Sequence, residues 1–108
     1  MDGGIYSVSV ISHSEPVGAA VLGLKDGNVR GVGQGYFWRG SYSQKEDMLR
    51  VDVYVYQKKH VTIFAEHDYY AVELRRDKDQ PGLIYSGHPE QDPKRAFTLE
   101  FTWQRSLA

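Results

Sequence analysis

The chain has 108 residues, enough for one domain but not for separate catalytic and regulatory halves. It contains no cysteine, which excludes disulfides, cysteine-held zinc and thiol catalysis, and a formal net charge of −1 leaves no basic footprint for nucleic acid. Eleven glycines and eight tyrosines in so short a chain favour short strands and tight turns over helices.

The first residues, Met1-Asp2-Gly3-Gly4, carry neither the basic nor the apolar stretch of a secretory signal. No apolar run approaches the ~20 residues that a membrane-spanning helix needs, so a cytoplasmic protein without a membrane partner is expected. Residues 5–11 alternate, with Tyr6, Val8 and Val10 on one face and Ser7 and Ser9 on the other, the pattern of a half-buried strand. Residues 17–24 form a second strand, apolar on both faces but mostly small. Asp26-Gly27 then marks a hairpin, because glycine tolerates the positive φ of such a turn. Strands are expected next at 29–33 and 35–43, the latter with Tyr36, Trp38 and Tyr42 on one side.

After the polar turn 43–47, residues 48–56 alternate most clearly. Leu49, Val51, Val53 and Val55 face one way; Met48, Arg50, Asp52, Tyr54 and Tyr56 face the other. Residues 58–68 are irregular around the apolar island 61–64 and read as a longer loop that folds back. Residues 69–76 alternate again, with Tyr70, Val72 and Leu74 inward and Glu73 and Arg75 outward. A short strand at 83–87 follows, and 94–104 closes the chain with Phe97, Leu99, Phe101 and Trp103 on one face.

About eight strands on short connections favour antiparallel neighbours. Each needs its apolar side covered, and closing the sheet does this while removing its edges. The expected fold is therefore all-β, a small eight-stranded antiparallel meander barrel spanning 1–108 as one domain, with a two-sheet sandwich as the alternative. At eight strands the interior is either just filled by side chains or holds one small ligand.

Residue constellations for chemistry are weak. Gly31-Val32-Gly33-Gln34-Gly35 has the wrong spacing for a phosphate loop, and no helix follows; glycines lining one face of a kinked strand explain it better. His13, His60, His67 and His88 lack metal-ligand spacing, and Glu66-His67-Asp68 would point to alternating sides of a strand. Asp52, Glu73, Arg50 and Arg75 fall on outward faces as cross-strand charge pairs. Catalytic, metal and cofactor sites are thus all expected to be absent. Met48, Tyr54 and Tyr56 share the outward face of one strand, which suggests either a dimer interface or cover by the loop 58–68.

Taken in order, Gly4-Ile5-Tyr6-Ser7-Val8, the stretch 24–29, the run Gly31 to Gly35 leading to an aromatic strand and Gly40, and the alternating strand 48–56 resemble the GrlR family, negative regulators of type III secretion. The resemblance covers nearly the whole chain and weakens after Lys58. It implies a lipocalin-like barrel that forms a homodimer and acts, without catalysis, by binding a transcription activator. It also implies a partner contact at the turn Gln44-Lys45-Glu46-Asp47, where Glu46 and Asp47 match the family's acidic loop and Lys45 replaces an acid. That replacement lowers the local charge and weakens attraction to a basic partner. The alternative function is a carrier for a small apolar ligand inside the barrel.

Overall fold

The computed structural model describes residues 2–33, 35–56 and 68–106. Its strands are β1 (Gly4–Ser12), β2 (Glu15–Lys25), β3 (Asn28–Gly33), β4 (Tyr36–Ser43), β5 (Met48–Val55), β6 (Tyr69–Arg76), β7 (Leu83–Pro89) and β8 (Phe97–Arg105). Each pairs antiparallel with the next, and β8 returns to β1, so the sheet closes into an eight-stranded meander barrel. Closure replaces the sandwich alternative. Apart from Asp68, the loop expected over 58–68 lies outside the described residues.

The turns have the chemistry that tight antiparallel pairing demands. Asp26 and Gly27 both take positive φ, 52° and 80°, and bring Lys25 opposite Asn28. Such a turn matches the right-handed twist of the strands it joins. His13 and Ser14 do the same between β1 and β2, at φ 52° and 65°, without a glycine to mark the turn in the sequence.

Inward positions follow the two-residue period. Tyr6, Val8 and Val10 of β1, Leu49, Val51 and Val53 of β5, and Tyr70, Val72 and Leu74 of β6 are all buried. Burial of each large side chain contributes about 1.5–3 kcal/mol. Trp38, Tyr6 and Tyr70 are the bulkiest fully buried side chains, and Phe101 meets Tyr6 and Tyr85 edge-on at 5.8 and 5.6 Å. No described charged side chain is buried.

The glycine run belongs to this core. Gly31 and Gly33 of β3 lie opposite Trp38 and Tyr36 of β4. A methyl group at Gly31 would collide with the Val21 carbonyl oxygen and sit 2.7 Å from a Leu22 methyl carbon. One at Gly33 would collide with the Ala19 carbonyl oxygen. The strand lies so close to β2 here that no side chain fits, and Trp38 and Tyr36 of β4 lie across from the gap.

One core assignment is corrected. Phe97, Leu99 and Phe101 are buried, but Trp103 is 52% exposed. Its period is right, yet β8 has outrun β7, whose pairing ends at Leu83 opposite Phe101, and pairs there only with β1, where the register slips between Ile5 and Tyr6. The indole lies over the mouth beside Asp2, Tyr6 and Leu83.

Candidate functional site

The outward positions of β2 to β6 align into one cross-strand row. Val21 lies opposite Val32, Val32 opposite Phe37, Phe37 opposite Tyr54, and Tyr54 opposite Tyr69. Val21 and Val32 are about half exposed, at 54% and 50%. The rings of Phe37 and Tyr54 are 6.2 Å apart and those of Tyr54 and Tyr69 are 5.2 Å apart, so the three form a continuous ridge. Beside the valines, the small residues Ser7, Ser9, Ala19 and Gly33 leave a mostly apolar hollow of about 410 Å³. Directly opposed side chains touch across a sheet, so the row is a contiguous apolar surface and not scattered residues.

The structure splits the sequence-based interface set. Tyr54 sits in the row, and Tyr56 lies just beyond the end of β5, 57% exposed. Met48 is at the other end of that strand, six residues and about 20 Å away, half-buried between Ser43 and Arg75. It shares their face but not their patch. Phe37, Tyr69, Val21 and Val32 take its place. The alternation marked their outward direction, but only pairing register shows that they align.

The turn 44–47 divides similarly. Glu46 is exposed, and its backbone N–H donates to the Ser43 hydroxyl at 3.2 Å. Asp47 turns back at φ 51° and takes Lys78 at 3.0 Å and Arg76 at 3.9 Å. The Lys78 hydrogen bond holds its carboxyl below the usual range. That stabilising charge is present above the ordinary carboxylate pKa and is lost as pH falls through the lowered value. Asp47 is therefore already engaged within the chain, and Glu46 is the acid of this turn that faces outward.

Of the expected outward charge pairs, those of Glu73 form. Glu73 accepts from Arg50 at 2.9 Å and Arg75 at 3.1 Å. Asp52 instead accepts the Tyr69 hydroxyl proton at 2.6 Å, which pushes the Tyr69 pKa up from 10.0 to about 12. Neutral Tyr69 is the form this bond favours. Its contribution to stability is thus complete below pH 10 and is lost as pH rises through about 12. Ultraviolet titration is expected to show one tyrosine ionising near pH 12 in the wild type. In Asp52→Asn that midpoint should fall toward the ordinary value near 10; an unchanged midpoint would rule out the carboxylate as its cause.

Burial also pushes the Tyr6 and Tyr85 hydroxyls up, so they stay protonated at neutral pH and offer no phenolate nucleophile. Among the described residues no three histidine or carboxylate side chains converge as metal ligands. His60 and His67 lie outside those residues. No protein-family model matches this chain, and no curated protein does.

Proposed function

We propose that this barrel is a non-enzymatic protein-binding regulator that acts in the cytoplasm and takes a protein partner on its outer face. The observation that carries this reading is the exposed row Val21–Val32–Phe37–Tyr54–Tyr69. Aromatic residues on such a surface bury much area at little entropic cost, which is why they concentrate at interfaces. The resemblance to GrlR-type negative regulators gives the reading its direction, namely an anti-activator that sequesters a transcription activator. A second copy is the other occupant this row suits, in keeping with the homodimer that the resemblance implies. The carrier reading ranks below both, because Trp38, Tyr6, Tyr70 and Tyr85 project into the space a ligand would use.

The test is affinity capture from the native host, using the tagged wild type and the variants Phe37→Ser and Tyr54→Ser. Capture of a transcription activator by the wild type, and its loss in both variants, is the expected result. Capture of nothing, or capture that both variants retain, would overturn the reading. Light scattering of the purified chain at micromolar concentration identifies the other occupant: a dimer that Tyr54→Ser dissociates assigns the row to a second copy.

A further inference from the structure

Arg30 of β3 and Arg39 of β4 lie directly opposite each other on the outer face, and both are exposed. Side chains so placed start about 4.5–5.5 Å apart, and like charges there destabilise the sheet. Neither arginine forms an ion pair among the described residues. Asp52 lies directly opposite Arg39 in the same cross-strand row, but its carboxylate accepts from the Tyr69 hydroxyl and forms no ion pair with Arg39. Elsewhere the arrangement is different: Arg50 and Arg75 share Glu73, Arg76 and Lys78 share Asp47, and Arg95 holds Asp92 at 2.9 Å. Arg50, Arg75, Arg76, Lys78 and Arg95 thus each hold an acid, whereas Arg30 and Arg39 face each other without an ion pair.

The pair borders a groove of about 550 Å³. Lys25 adds a third cation to its lining, Asp26 is the single acid, and Gly23 contributes no side chain on the outer face. Two residues along each strand lie Val32 and Phe37, the centre of the apolar row. Charge and apolar surface therefore adjoin.

We propose that Arg30 and Arg39 recognise an acidic segment of the protein partner, one that sets a carboxylate across both guanidinium groups and an apolar side chain on Val32 and Phe37. This rests on the outer-face reading above and names the chemistry of the partner that face selects. Guanidinium forks suit carboxylates in paired geometry. A carboxylate between the two arginines also relieves their mutual repulsion, so the complex gains where the free protein is strained. The polarity is opposite to the contact implied at Glu46 and Asp47, which would attract a basic surface.

The test uses a short fluorescein-labelled peptide of phenylalanine and glutamate, with a phenylalanine–glutamine peptide of equal length as control. Fluorescence anisotropy is expected to show binding of the acidic peptide alone, weakened about tenfold by Arg30→Gln or Arg39→Gln and by raised salt. Arg50→Gln, which removes a cation already paired with Glu73, should change it less than about twofold. The melting temperature of Arg30→Gln should equal or exceed that of the wild type, since it removes a like-charge contact, whereas Arg39→Gln also gives up the attraction of the facing Asp52.

No binding, equal binding of the glutamine peptide, or indifference to both arginine substitutions would overturn the proposal. So would displacement of the peptide by an equal concentration of inorganic phosphate, which would mark a simple anion site. A dimer that Arg39→Gln dissociates would assign the groove to a second copy and also overturn it. In affinity capture, loss of the partner with Tyr54→Ser but not with Arg39→Gln would leave the outer-face reading standing and reject this one. Retention in all the variants would reject both.

Discussion

Trp38→Ala is expected to destabilise the barrel by about 3–5 kcal/mol, the usual cost of deleting a large, fully buried aromatic side chain and leaving the space behind it. Against the ~5–15 kcal/mol that holds a domain of this size together, that change leaves a sizeable unfolded population. Trp38 is wholly buried, flanked in register by Gly31 and Val53, with Tyr36 edge-on at 6.1 Å. Its surroundings cannot collapse easily, because the strands on either side are pinned by pairing along their length.

Trp38→Phe separates two contributions. The indole N–H is buried with no hydrogen-bond partner among the described residues, a condition that costs roughly 1–3 kcal/mol. Phenylalanine removes that donor as well as some bulk, so the two effects oppose and the net loss should stay below about 1.5 kcal/mol. Urea denaturation followed by circular dichroism measures both variants. Equal losses for the alanine and phenylalanine variants would show that the volume at this position does not hold the barrel together.

The second large effect is expected at Gly31. Alanine there should cost about 3 kcal/mol, near the upper end for overpacking, because the obstacle is the Val21 carbonyl oxygen and not a side chain that can rotate away. Either β2 or β3 must shift, and both are tied to further strands. Gly23→Ala is the matched control. Its added methyl group would lie 3.7 Å from the Arg30 carbonyl oxygen, an ordinary contact, so stability should change by less than about 0.5 kcal/mol. It could even rise slightly, since alanine restricts the unfolded chain. A loss at Gly31 no greater than at Gly23 would refute the view that β3 is pressed against β2 at this point.

The two glycines also show how unevenly the sequence can be read. Spacing excluded a phosphate loop and pointed to a bent strand, but it could not tell Gly31 from Gly23. What distinguishes them is the direction of the absent side chain relative to a neighbouring strand, and that depends on how sharply the closed sheet coils. The candidate interface divides along the same line. Tyr54 and Tyr56 were visible as outward residues on one strand, and so was Met48, because alternation records a face without recording a place along it. Joining Tyr54 to Phe37, Tyr69, Val32 and Val21 required the registers of four strand pairs. The resemblance implies Asp47, with Glu46, as a partner contact, and only the turn between β6 and β7 brings Lys78 against it.

By itself the sequence determined the eight strands, the inward faces of β1, β5 and β6, the Asp26-Gly27 hairpin and the outward charge pairing of Glu73. These are local properties: a two-residue period assigns each side chain to one of two faces, and glycine supplies a conformation that other residues resist. Only the tertiary structure decided which outward residues become neighbours. It aligned a valine–aromatic row, left Arg30 facing Arg39 while Asp52 turned to Tyr69, and carried Trp103 beyond the end of β7. Register and closure set those relations, and both are fixed by every strand at once, since each strand's position depends on the two that flank it.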